Sequence, residues 1–452
     1  MKSIDPATNK ILTEYREHTP EEVAGITGKV HSAWTGWKET TFEYRSQLFR
    51  NLAGLLRADK DHYARLMTAE MGKIIRESLA ETEKCAHACD FYADHAKELL
   101  KDEILPTDAS RSLVTFEPLG VVLAVMPWNF PFWQVFRFAT TALMAGNAAV
   151  LKHASNVPGC ALAIEELFRK AGFPEHVFRT LMIPSGQVET VIRDPRIMAV
   201  TLTGSEEAGS RVASLAGKLI KKTVLELGGS DAFIILEDAD MNKTIKTAVT
   251  ARMINQGQSC IAAKRFIITS SRIEEFESKI KEAFSRLKVG DPLDPATDVG
   301  PLARPDLAED LDRQVKESVS MGARLITGGK RMERPGCYYE PTILADVKKG
   351  MPVYRQETFG PVVAIIPVID EAEAIEVAND SEFGLGGSVW TEDLQRGEAV
   401  ARKIRTGAMF VNGLVKSDPR LPFGGIKKSG YGRELSFYGI REFVNIKTIW
   451  IG

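Results

Sequence analysis

The sequence predicts an α/β protein in which a largely parallel sheet is covered by helices on both faces. From Gly120 onward, short apolar runs alternate with amphipathic segments: Val121 to Val125, Ala148 to Leu151, Ile197 to Leu202, Thr223 to Leu227 and Ala232 to Leu236 read as strands. Helix signals fall between them, as in Pro158 to Lys170, closed by Gly172 and Pro174, and a second helix opening at Ser205. Size agrees, since 452 residues exceed one core and match about three units at roughly 150 residues per domain.

The remaining elements follow in chain order. Thr19-Pro20-Glu21-Glu22 is a helix start, and apolar residues at helical spacing run on to about residue 105. Ser110 to Glu117 alternates between Pro106 and Pro118 and reads as a strand, a candidate projecting arm. Residues 264–424 form a second α/β region. The glycine-rich stretch Pro422 to Gly430 precedes a last strand, Phe443 to Ile451.

Composition narrows the partners. Hydrophobic residues make up 44% and charged residues 26%, with 58 basic against 60 acidic side chains. That balance gives no positive excess for nucleic acid or a membrane surface and points to small molecules. The five cysteines, an odd number, form no disulfide framework and place the protein in a reducing compartment, the cytoplasm by default. The chain opens without a signal-peptide layout, and no apolar run approaches the ~20 residues that span a bilayer. Cys85 and Cys89 flank His87 on a helix, with no second ligand pair downstream, so no metal is expected.

In open α/β sheets chemistry gathers in loops at the carboxyl ends of strands. Gly257-Gln258-Ser259-Cys260 offers a thiol, a soft nucleophile once a base or a positive field makes it thiolate, and Glu226 in Glu226-Leu227-Gly228-Gly229 is a carboxylate that serves as such a base. The competing reading is an inert buried cysteine. Pro127-Trp128-Asn129-Phe130-Pro131 fixes one amide side chain, either to hold an oxyanion or to satisfy its own turn. Lys152 and Ser155 follow a strand and suit ribose hydroxyls or a ribose phosphate. Gly204 and Ser205 open a helix whose amides suit a pyrophosphate, or Ser205 is a simple cap. Glu357 and Phe359 in Glu357-Thr358-Phe359-Gly360-Pro361 suit a ribose diol and a flat ring. No Gly-x-Gly-x-x-Gly fingerprint follows the first strand.

Taken in register, the Pro127 to Pro131, Leu202 to Ser205, Glu226 to Gly229, Gly257 to Cys260, Glu357 to Pro361 and Phe423-Gly424-Gly425 motifs resemble those of the aldehyde dehydrogenase superfamily over essentially the whole chain. Within it the chain is most similar to short members acting on succinate semialdehyde. The resemblance implies a Rossmann-type cofactor domain (1–103 and 119–229), an α/β catalytic domain (230–423) and a small β oligomerisation arm and tail (104–118 and 424–452). It implies NAD(P)-dependent oxidation of an aldehyde to an acid through a cysteine thiohemiacetal and thioester. Cys260 would be the nucleophile, Asn129 the oxyanion donor and Glu226 the general base. Trp128, Lys152, Ser155, Gly204, Ser205, Leu227, Glu357 and Phe359 would line the cofactor, and a homo-oligomer, dimer or tetramer, would form. NAD-selective relatives carry a glutamate where Ser155 stands, so NADP is expected to be accepted beside NAD. Some succinate semialdehyde enzymes pair an arginine at the position of Arg137 with a second at the position of Ile254. Here Arg137 alone is expected to hold a substrate carboxylate. Another small aldehyde as substrate and a cysteine-dependent esterase or thioesterase are the alternatives.

Overall fold

The computed structural model describes residues 1–452. A six-stranded sheet runs in the spatial order Gly430–Tyr431, Lys222–Glu226, Ile197–Thr203, Val121–Met126, Ala148–His153, Phe178–Thr180. All neighbours are parallel except the Gly430–Tyr431 edge, which the tail supplies antiparallel to Leu225 and Glu226. The inner strands are buried on both faces, as their unbroken apolar runs require. Strand order reverses between Val121–Met126 and Ile197–Thr203, the switch point where an open sheet leaves a crevice. The loops Pro127 to Pro131 and Gly204-Ser205 both leave strands there.

A second sheet of seven strands runs Arg324–Thr327, Thr342–Ala345, Val362–Val368, Ala263–Thr269, Asp231–Ile235, Gly386–Trp390, Ala408–Val411. Only its outer strand Arg324–Thr327 is antiparallel. Two apolar clusters cover its opposite faces. The six-stranded sheet shares its large core with the helices Phe42–Ala58, Lys60–Met71 and Ile75–Leu99.

The first long helix, Pro20–Trp37, begins where its start signal stands: Thr19 and Glu22 close a reciprocal capping box. Helices end at Leu99, and Glu103–Ile104 is already a short strand of the arm. In the arm Val444–Ile451 lies antiparallel to Arg111–Pro118 along its whole length. The hairpin of Lys2–Ile4 and Ile11–Glu14 carried no sequence signal strong enough to be read.

Candidate active site

The helix Met241–Met253 ends in a loop that turns backwards into Cys260. Asn255, Gln256 and Gly257 all take left-handed backbone, φ 51°, 55° and 78°. For the two residues with a Cβ this conformation is costly, so neighbours must hold it. The Asn255 N–H donates to the half-buried Glu77 carboxyl at 2.8 Å, and Asn255 Nδ2 donates to the carbonyls of Asn129 at 2.6 Å and Gln258 at 3.1 Å. Burial pushes the Glu77 carboxyl up to about 7, against the pull of Lys73. Arg252, fully buried, bonds the carbonyls of Gly257 at 2.8 Å and Ala263 at 2.9 Å.

Cys260 sits half-buried on this loop, and its own N–H has no acceptor within the chain. Burial pushes its thiol up to about 12, with Arg137 and Lys264 opposing. At rest it is a neutral thiol. Lys264 Nζ donates to the carbonyls of Ser259 at 2.9 Å and Cys260 at 2.7 Å, and lies 3.5 Å from the Glu357 carboxylate.

Asn129 comes to the same place from the other sheet. Its Nδ2 donates to the Gln258 carbonyl at 3.1 Å, using one of its two hydrogens, and its Oδ1 accepts from Gln134 at 3.4 Å. His153 fixes the loop: its Nδ1 accepts from Ala154 N at 2.9 Å, so Nε2 carries the proton donated to the Pro131 carbonyl at 2.8 Å. Burial lowers the imidazole to about 4, which keeps this neutral tautomer.

Glu226 ends its strand with both carboxyl oxygens buried and without a hydrogen-bond partner. Burial, then the nearby Glu434, raises it well above the usual carboxylate range, while Arg137 and Arg433 pull the other way. Gly424 admits it, since a Cβ there would stand 2.6 Å from Glu226 Oε1.

Arg137 is not placed as an unengaged anchor. It is buried in an ion pair with Glu434, stacks over Phe423 at 4.4 Å and donates weakly to Thr203 Oγ1 at 3.4 Å. The chain supplies its carboxylate, which the sequence reading had assigned to the substrate. Burial of such a long cation demands a fixed counter-ion, and Glu434 lies too far away in sequence for spacing to reveal the pairing.

The cofactor candidates divide between two regions. Lys152, Ser205, Leu202, Ala208 and Val212 line a cavity of about 390 Å³. Lys152 Nζ reaches only Ser185 Oγ, at 3.4 Å, and has no carboxylate partner. Ser155 is exposed beyond the end of the same strand. Ser205 caps the helix Glu206–Lys218 through Ala208 N at 3.3 Å, and the Gly204 N–H is spent on the Glu226 carbonyl. Leu227 packs over Gly209 of that helix. Trp128 and Phe359 meet edge to face at 5.8 Å, and Glu357 accepts from Gly229 N at 3.0 Å. A slot with an apolar half, one cation free of any carboxylate and a helix N-terminus at its mouth fits the adenosine and phosphate half of a dinucleotide.

Sequence reasoning missed the supporting residues Glu77, Arg252, Asn255, Lys264 and Glu434. One signal was available: Lys264-Arg265 opens a strand, Ala263–Thr269, that is otherwise apolar and wholly buried. Two cations in such a run need fixed acceptors.

The aldehyde dehydrogenase family model matches residues 1–449. A Synechocystis protein named probable succinate-semialdehyde dehydrogenase, NADP(+)-dependent, is 53% identical over 449 residues, 99% of either chain. The Mycobacterium bovis succinate-semialdehyde dehydrogenase 1, also NADP(+)-dependent, is 47% identical over 99% of both. The crystal structure of succinic semialdehyde dehydrogenase from Streptococcus pyogenes, in complex with NADP+, superposes at a TM-score of 0.98 with 42% identity, covering 100% of this chain and 99% of that one. With its two sheets, its cysteine loop and its buried carboxyl in this arrangement, the chain belongs to the aldehyde dehydrogenase family.

Proposed function

We propose that this chain oxidises succinate semialdehyde to succinate with NADP, and accepts NAD. Support for the substrate comes from the relatives' names, and support for the chemistry from one observation. Cys260, with an unspent N–H, shares a loop contact with the Asn129 amide, whose second hydrogen is also unspent.

Loss of the Cys260 proton to solvent yields a thiolate that adds to the aldehyde carbon, and the carbonyl oxygen becomes an oxyanion between Asn129 Nδ2 and the Cys260 N–H. The bound dinucleotide supplies the hydride acceptor. Lys264 and Arg252 hold the loop so that these donors do not reorganise. Glu226 takes the proton of the water that cleaves the thioester in its ionised form, and a carboxyl raised by burial is the stronger base once it has lost its own proton to solvent. Lys152 and Ser155 face the ribose phosphate side, and the two carboxylates that line the same cavity, Glu189 and Glu207, are paired with Arg193 and Arg211. Glu357 takes the nicotinamide ribose, beside Trp128 and Phe359, with Gly204, Ser205 and Leu227 toward the pyrophosphate.

The same reading treats 1–103 with 119–229 as the cofactor unit, 230–423 as the catalytic unit and the arm with the tail as an assembly element. The strand Val444–Ile451 leaves one edge unpaired and exposes Ile446, Ile449, Trp450 and Ile451. An open apolar edge of that length fits a homo-oligomer. Free cysteines throughout fit the cytoplasm.

The test is absorbance of the reduced nicotinamide with a panel of aldehydes against NAD and NADP. Highest kcat/KM with succinate semialdehyde and NADP is expected. Ester hydrolysis without any dinucleotide reduction would overturn the reading in favour of a cysteine hydrolase.

A further inference from the structure

We propose that Lys84 is a specificity-determining residue that receives the carboxylate of the substrate at the end remote from the aldehyde, an inference that rests on the succinate semialdehyde reading. Lys84 lies on the helix Ile75–Leu99, in a stretch that carried no recognised motif. Its Nζ donates to Ser417 Oγ at 2.6 Å and stands 4.3 Å from the centre of the Trp133 ring. Trp133 Nε1 donates to the same Ser417 oxygen at 3.1 Å.

Ser417 Oγ therefore accepts from both neighbours and spends its two lone pairs, which leaves its own hydrogen as the one bond it has still to make. That hydrogen needs an acceptor. Lys84 has no carboxylate of its own. Glu83, beside it in sequence, is paired with Arg57, and Glu81, the acid on its helix whose field reaches it, is taken by Lys73 and by the N–H groups of Phe132 and Trp133, each N–H at 2.9 Å. The second cation in the neighbourhood, Arg137, is neutralised by Glu434. Burial, followed by repulsion from Arg137, lowers the Lys84 ammonium to about 8, which still leaves it charged at neutral pH. A partly desolvated ammonium and a hydroxyl with a free hydrogen, side by side and lacking an anion, form a carboxylate site.

Lys84 lies beside the reaction centre. Trp133 stands four residues beyond Asn129, where the loop passes into the helix Trp133–Met144, and the field of Arg137 on that helix reaches both the Lys84 ammonium and the Cys260 thiol. Three C–C bonds of about 1.5 Å separate the terminal carbons of succinate semialdehyde by roughly 4 Å, so its carboxylate must be held close to the oxyanion donor. Lys84 thus supplies the cation that Ile254 does not.

The experiment compares wild type, Lys84→Met, Lys84→Gln and Lys84→Arg in steady-state oxidation of succinate semialdehyde and butanal, with succinate as a product inhibitor. In wild type succinate semialdehyde should be preferred. In Lys84→Met and Lys84→Gln the ratio of kcat/KM for the two aldehydes should fall by roughly 10- to 100-fold, chiefly through KM, the loss expected for one charge-assisted hydrogen bond. Inhibition by succinate should weaken to a similar extent, and Lys84→Arg should recover most of both. An unchanged ratio in Met and Gln variants that keep the wild-type thermal midpoint overturns the assignment of Lys84. If instead wild type itself shows no preference over butanal, the substrate reading fails and the assignment falls with it. If Lys84→Met does not fold, the Gln and Arg variants decide by the same ratio.

Discussion

Lys264 and Cys260 are joined through the backbone: the Lys264 ammonium donates to the Cys260 carbonyl at 2.7 Å and to that of Ser259 at 2.9 Å, while Glu357 lies 3.5 Å away. One buried cation thus ties the Cys260 loop to Glu357. Lys264→Met removes the donor of three carbonyls, those of Ser259, Cys260 and Ala262, and leaves Glu357 without its counter-ion. A loss of roughly 3 kcal/mol is expected, seen as a lower urea midpoint, with kcat/KM falling as the loop relaxes. An unchanged midpoint would show that water replaces the ammonium there.

Cys260→Ala should abolish dinucleotide reduction with every aldehyde, by about 10⁴-fold or more, as when a covalent nucleophile is removed. Dinucleotide binding, followed by protein fluorescence, should stay within a few fold. The other four cysteines, buried and remote in sequence, offer no substitute.

Much of the candidate site was legible because the residues proposed to react sit on strand ends and glycine turns, whose signals are local. Cys260, Asn129 and Glu226 all fall in such loops. The residues that hold them were not legible. Glu77 grips Asn255, Glu434 grips Arg137 and His153 grips Pro131, each across sequence separations that no periodicity records. The sheet order was readable as a class but not in its last member, since Gly430–Tyr431 is too short to announce itself as a strand.

Glu226 carries a pH prediction with a definite sign. Its folded carboxyl is raised above the unfolded value, so above roughly pH 4.5 the unfolded chain releases a proton that the folded chain retains. Its contribution is complete below that value and is lost as pH rises toward the folded one. Glu226→Gln should therefore remove up to about 1.4 kcal/mol per pH unit of downward slope in unfolding free energy. In the same variant thioester hydrolysis should slow by ~10²–10⁴-fold and lose its rise with pH, while a pre-steady-state burst of reduced dinucleotide survives. Loss of the burst as well would assign Glu226 to thiol activation instead.

Ser155 is exposed two residues beyond the strand Ala148–His153, which carries Lys152 into the cavity that fits adenosine. Ser155→Glu should raise KM for NADP by roughly 10-fold or more, through a like-charge contact with the 2′-phosphate, and leave that for NAD within a few fold. Equal effects on the two dinucleotides would place the 2′ position elsewhere.

Arg137 and Glu434 call for a cycle rather than a single substitution. Removing Arg137 alone strands Glu434 beside Glu226, two buried carboxyls with Glu434 already raised by burial and held down mainly by that guanidinium. Breaking a buried pair in this way costs about 3–5 kcal/mol, so Arg137→Met should destabilise strongly and impair every substrate. Glu434→Gln in the same chain removes the stranded charge. If the pair is chiefly internal, the double variant should regain most of the stability, and its ratio of kcat/KM for succinate semialdehyde to butanal should stay near wild type, with Lys84 still in place. If Arg137 instead holds the substrate carboxylate, the ratio should remain depressed by ~10-fold or more in the double variant even after stability returns. Unfolding midpoints and the two kcat/KM values, measured on all four members of the cycle, separate these outcomes because the first reports the ion pair and the second the anion.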